Sequence, residues 1–149
     1  MSKLNSHSMT EKEIKMHKFY MNIAMLTSDL SYASRSKVGA VIVKDNNIIS
    51  FGYNGSPSGH PNICEDFENK TLPSIIHAEI NCIAKAARQG ISTQGSTLYV
   101  TLSPCYDCSK LLIQSGISKI IFLEEYRIKD ALNFLEQSNI DIIKFSDIA

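Results

Sequence analysis

Four residues in two short stretches have the types and spacing for chemistry. Cys105 and Cys108 stand three positions apart in TLSPCYDC, and His77 and Glu79 stand two apart in HAE. A Cys-x-x-Cys pair alone can cycle as a disulfide, grip a metal, or lie buried and inert. On a helix, positions three apart share a face, so the pair can offer two thiolates to one ion. A catalytic tetrahedral zinc takes three protein ligands and keeps a fourth position open. His77 is the natural third ligand. Glu79 is too close to His77 in sequence to be an obvious fourth, and is well placed to touch a water in the open position. Zinc acidifies such a water, and a carboxylate beside it can take the proton and pass it on. A disulfide-cycling pair would have no need of HAE upstream. Cys82 reads as a small buried residue.

These four side chains must be brought together by the elements that carry them. Thr10 with Glu13 forms a capping box. Ile14, Phe19, Ile23, Leu26 and Leu30 then recur at helical spacing, which predicts a first helix to about Ser34. VGAVIVK (38–44) and NIISFGY (47–53) read as strands joined in a hairpin by Asp45-Asn46. A long loop from Gly52 to about Ser74 carries three Gly and two Pro in GYNGSPSGHPN, and long loops in small domains are often functional. A helix over 77–90, a buried strand over 97–101, a helix over 104–116 with Pro104 in its first position, a strand over 119–123, a helix over 128–138 and a last strand over 140–145 follow. The order α-β-β-α-β-α-β-α-β implies a sheet with parallel pairing in its second half and helices on both faces. His77 and Cys105 then both begin helices. In such sheets ligands collect at the carboxyl ends of strands, where the positive ends of helices favour thiolates.

His-x-Glu followed by Pro-Cys-x-x-Cys is the zinc deaminase signature, here His77-Ala78-Glu79 and Pro104-Cys105-Tyr106-Asp107-Cys108. The likeness continues through VGAVIVKDNNIISFGYNGSPSG, HAEINCIAKAARQG, TLYVTLSPCYDCSKLLIQSGISKIIF and EYR, over roughly residues 19 to 145. In these stretches the chain resembles the deoxycytidylate (dCMP) deaminases, including those of bacteriophages. The resemblance implies a three-layer α/β/α cytidine deaminase-like fold with a five-stranded mixed sheet; the length of 149 residues suits one domain over 1–149, and residues 1–9 read as a frayed start. The same resemblance implies hydrolysis of dCMP to dUMP and ammonia, supplying dUMP for dTMP synthesis. It also implies one catalytic zinc on His77, Cys105 and Cys108, with Glu79 as proton shuttle. A homo-hexamer, and control by dCTP and dTTP with Mg2+ accompanying the triphosphate, are further implications.

The substrate contacts come from the same resemblance. Asn54 is a candidate for bonding sugar or base. Ser56, beside backbone N–H groups left free at Gly55, is a candidate for the 5′-phosphate. Arg35 precedes the first strand and suits bidentate phosphate contact. Ala78, Tyr106 and Tyr126 are candidates for lining the base and sugar pocket. Some phage relatives bind a second, structural zinc, but here the first helix has no nearby Cys and the insertion before HAE is short. His60 and Cys64 alone do not make that site.

Composition narrows the alternatives. Fifteen basic residues balance fifteen acidic ones, which speaks against the basic surface that a tRNA adenosine deaminase, sharing this signature, would need. Other nucleobase deaminases and a non-catalytic zinc-stabilised module remain as alternatives, the latter leaving Glu79 without a task. The expectation is a small-molecule substrate, no nucleic acid and no membrane partner. MSKLNSHSMTEKEIK is polar and lacks the apolar core of a signal peptide. With no apolar run long enough to cross a bilayer, the expected location is therefore the cytoplasm, where thiols stay reduced and four cysteines read as metal ligands or buried thiols.

Overall fold

The structure is a computed structural model, and it describes residues 9–148. The expected frayed start lies outside the described residues apart from Met9, which packs against the core. Helix α1 spans Glu11–Ser28 and opens on the capping box, with Thr10 Oγ1 accepting the Glu13 N–H at 3.1 Å. It stops six residues short of the predicted end. Thr27 and Ser28 turn their hydroxyls back onto the carbonyls of Ile23 and Met25, at 2.7 and 2.6 Å. Ser31 then leaves the helical path to bond the Asn54 carbonyl at 2.8 Å. Short polar side chains here compete with the helix for its own backbone.

Strands β1 (Gly39–Lys44) and β2 (Asn47–Tyr53) form the predicted hairpin. Asp45 and Asn46 both adopt positive φ, 51° and 62°, as a two-residue primed turn requires. Helix α2 (Ala78–Arg88), strand β3 (Thr97–Leu102), helix α3 (Tyr106–Gln114), strand β4 (Lys119–Glu124), helix α4 (Asp130–Gln137) and strand β5 (Asp141–Lys144) complete the order. Phe145, expected in the last strand, instead starts a single 3-10 turn to Asp147. The sheet runs β2-β1-β3-β4-β5, with β1 antiparallel to both neighbours and β3, β4 and β5 parallel.

Period-2 alternation sorts the strands into two apolar faces. Ala40, Ile42, Leu98, Val100, Ile120, Phe122 and Ile142 join Ala78, Cys82, Leu112 and Leu135 under α2, α3 and α4. Val41, Val43, Tyr99, Ile121 and Ile143 meet Tyr20, Met21 and Ala24 of α1. The result is the three-layer α/β/α arrangement, with one helix on one face and three on the other. Strands buried on both sides explain why the central segments read as continuous apolar runs.

Helix α2 lies unusually close to the hairpin. A Cβ added at Gly52 would sit 2.9 Å from both the Ala78 carbonyl oxygen and the Cys82 nitrogen. Ser50 Oγ donates to the Cys82 carbonyl at 2.8 Å and Asn81 Nδ2 to the Tyr53 carbonyl at 2.9 Å. Gly52→Ala would therefore push α2 off the sheet. The expected cost is about 1–3 kcal/mol, read as a lower urea midpoint at unchanged slope; an unchanged midpoint would show that α2 has room to give.

Candidate active site

His77 is the N-cap of α2 and Cys105 the N-cap of α3, so both stand where a chain leaves extended backbone and enters a helix. This corrects the expected place of Pro104, which precedes the cap rather than opening the helix. Its fixed φ and full burial still set the direction in which the helix starts. Cys108 lies one turn into α3, on the face that Cys105 caps. His77 Nδ1 is 3.2 Å from Cys108 Sγ and 3.6 Å from Cys105 Sγ. All three ligand atoms lie within 4.8 Å of one another, and among the described residues this is the only His, Cys, Asp and Glu group so arranged. Two sulfurs and one imidazole nitrogen fit zinc and leave a tetrahedral position open.

The electrostatics agree with that fit. A hydrogen bond from the Cys108 thiol pulls the Cys105 pKa down to about 4, with His77 adding to it against burial. The same bond raises Cys108, and burial adds to it. The bond to Cys105 also raises His77, against the desolvation that would lower it. The pair thus carries one proton until a cation replaces it.

Glu79, in the first turn of α2, is only 4% exposed. Burial pushes its carboxyl up to about 7, with its own backbone N–H and His77 opposing. A carboxyl titrating near neutrality is suited to taking up and giving back a proton. It faces a cavity of about 230 Å³ whose wall also holds His77, Ala78, Cys105, Asn54 and Tyr126. Arg35 is the only Lys or Arg among the residues of that wall.

The remaining expectations divide. Asn54 lines the cavity, but its amide also ties down the segment before β1, accepting from Val38 N at 2.9 Å and donating to the Ser36 carbonyl at 2.8 Å. Tyr126 lines it too, anchored through its N–H to Ser103 Oγ at 2.6 Å. Ser56 stands outside the wall, its hydroxyl donated to the Pro61 carbonyl at 2.8 Å. The Gly55 N–H is not free either, because Gly55 and Ile76 pair as an antiparallel bridge. Tyr106 also stands outside, half-exposed, with its ring 4.8 Å from that of Phe134. Sequence reading missed Glu65, Thr71 and Ser103 on the wall. The one signal for the first two was the length of the loop that carries them.

Residues 14–124 match the family described as the cytidine and deoxycytidylate deaminase zinc-binding region. The chain belongs to the cytidine and deoxycytidylate deaminase family. It is 39% identical over 147 residues to the deoxycytidylate deaminase of Enterobacteria phage T4, an alignment covering 71% of this chain and 76% of that one. It is 35% identical over 121 residues to that of Mycobacterium phage D29, covering 72% and 93%. The dCMP deaminase from the cyanophage S-TIM5, solved in complex with dCMP and dUMP, superposes with a TM-score of 0.86 at 40% identity, covering 92% of this chain and 99% of that one. As in the expectation for this deaminase family, the sheet is five-stranded and mixed with helices on both faces. Among the described residues no helix is long and apolar enough to cross a membrane.

The proton count of metal uptake tests the cluster. In the metal-free deaminase domain Cys105, pulled down to about 4, is the thiolate, Cys108 keeps the pair's proton, and the bond to Cys105 raises His77. Zinc must displace the Cys108 proton and any proton on His77. Calorimetry in buffers of different ionisation enthalpy should find about one to two protons released per zinc, with affinity falling as the pH is lowered. A release near zero would contradict this charge assignment, and so would a release well above two.

Proposed function

We propose that this chain hydrolyses the C4 amine of dCMP, giving dUMP and ammonia, with His77, Cys105 and Cys108 holding one zinc. The observation that carries this reading is a buried carboxyl, Glu79, sharing one small cavity with His77 and Cys105 of the three-ligand cluster and with a single guanidinium, Arg35. When bound, zinc supplies Lewis acidity and makes water nucleophilic at neutral pH. Glu79 takes one proton of the attacking water and delivers it to N3 of the pyrimidine, then carries the remaining proton of the new C4 hydroxyl to the amine, so that the C4–N bond breaks, ammonia leaves and the C4 carbonyl forms. The raised pKa lets one carboxyl do both tasks. Ala78 and Tyr126 border the base and sugar, with the unused capacity of the Asn54 amide available to them. Arg35 meets the 5′-phosphate; among the described residues its guanidinium has one hydrogen bond, from Nη1 to Thr71 Oγ1 at 3.4 Å. A cavity of about 230 Å³ is just under the roughly 300–1,000 Å³ of drug-sized sites, in keeping with a free mononucleotide.

The same reading includes assembly as a homo-hexamer and switching by dCTP, with Mg2+, and dTTP. Sedimentation, and dCMP saturation curves with and without each triphosphate, check these. Glu79→Gln keeps shape and removes the proton acceptor. It should keep zinc and fold while turnover of dCMP falls about 10²–10⁴-fold. Ammonia release compared across dCMP, CMP, deoxycytidine, dCTP and tRNA should be fastest with dCMP. Normal turnover by Glu79→Gln would refute the mechanism, and preference for tRNA the substrate.

A further inference from the structure

Residues 64–72 fold into a compact loop at the cavity mouth. Leu72 N donates to the Cys64 carbonyl at 2.8 Å, and Glu65 and Thr71 pair as an antiparallel bridge. Asp66 Oδ1 accepts the N–H groups of Glu68 and Lys70 at 2.9 and 3.0 Å. The Glu65 carboxylate points out of this loop and across to another segment. Its two oxygens accept the Ser34 N–H at 3.1 and 3.2 Å, and one accepts the Arg35 N–H at 3.2 Å. Two more bonds close the junction, from Ser34 Oγ to Asn69 Oδ1 at 2.9 Å and from Arg35 Nη1 to Thr71 Oγ1. Successive backbone N–H groups converging on one carboxylate are a strong, charge-assisted anchor. Desolvation acts to raise Glu65, but the bonds from Arg35 and Ser34 outweigh it and hold its pKa below the usual glutamate range. The anchor is therefore ionised at neutral pH.

The segment so anchored carries the only Lys or Arg side chain of the cavity wall. Without the anchor, that stretch has few ties of its own. Ser31 Oγ holds its start, through the Asn54 carbonyl and the Ala33 N–H, and the Asn54 amide holds its end at Ser36 and Val38. Glu65 grips the middle, at the residue whose guanidinium must be aimed.

We propose that Glu65 is a positioning residue for phosphate recognition, acting through Arg35 and so favouring a nucleotide over the corresponding nucleoside. This rests on the dCMP reading above. It assigns Glu65 no contact with the reacting atoms, and pre-aiming a side chain lowers the ordering cost of binding.

The test is a double-mutant cycle on the zinc-loaded protein with Glu65→Ala, Arg35→Ala and both together. Ammonia release is measured on dCMP and deoxycytidine, alongside zinc content and Tm. For dCMP, Glu65→Ala should raise KM about tenfold or more and leave kcat within about twofold, since a misplaced binding group acts mainly before chemistry. Its kcat/KM for deoxycytidine should not change, and the double variant should match Arg35→Ala on dCMP. Additive losses in the cycle would overturn the proposal. So would an equal fractional loss on both substrates, or no change in KM. If Glu65→Ala does not fold or hold zinc, Glu65→Gln, which keeps one acceptor oxygen, should show a smaller rise in KM with the same substrate bias; equal loss on both substrates overturns the proposal there too. Failure of the dCMP reading is separate, because the wild type would then release no ammonia from dCMP. In that case calorimetric affinity for inorganic phosphate decides alone. A drop in Glu65→Ala equal to that in Arg35→Ala supports the assignment, and unchanged affinity overturns it.

Discussion

One imidazole nitrogen must lie within bonding reach of two sulfurs that stand 28 and 31 residues further along the chain. His77 Nδ1 at 3.2 Å from Cys108 Sγ is that constraint. Meeting it requires α2 and α3 to begin side by side at the same sheet edge, which in turn requires β3 to run antiparallel to β1 and parallel to β4. The close seat of α2 on the hairpin at Gly52 and the buried turn-in at Pro104 both serve the same meeting. Only when both helix starts are fixed does the first turn of α2 also carry a carboxyl into a dry place beside them.

Floor and wall of the cavity are built by different physics. The floor is made of side chains on helix N-termini, backed by the apolar residues of the sheet face that carries α2 and α3, and its geometry follows from packing. The rest of the wall comes largely from loop segments, held by side-chain bonds to backbone: Ser31 on Asn54, Asn54 on Val38 and Ser36, Glu65 on Ser34 and Arg35, Ser103 on Tyr126. Each such bond contributes about 1 kcal/mol, so the wall is specified by the sum of many modest ties together with the burial of Ala33, Val38 and Cys64. Segments held this way lie at the low end of local stability and are the natural place for a ligand to reshape.

This difference explains what could be read from the chain alone. The floor was legible because His77, Glu79, Cys105 and Cys108 follow a local spacing, and each helix start carries its own signal. The hairpin was legible from Asp45-Asn46, whose positive φ angles need just those residue types. The end of α1 was not, because Thr27, Ser28 and Ser31 are neutral until their backbone partners are known. Glu65 was invisible for the same reason: its partners stand some thirty residues away and are backbone groups, which every residue possesses. Ser56 and Tyr106 were named from resemblance, and here one hydroxyl is spent on Pro61 and one ring on Phe134.

Tyr126 is tied back to Ser103, and the Ser103 N–H reaches the Glu124 carbonyl at 2.9 Å. The ends of β3 and β4 are thereby stitched together, and no residue of the wall lies beyond Tyr126. The match to the family also stops at residue 124. The α4–β5 unit that follows contributes a covered sheet edge, an apolar face and a rest for the Tyr106 ring, and no reacting group. Among the described residues none of this unit lines the cavity, so a substitution on its solvent face changes the surface of the molecule and leaves the cavity wall as it is.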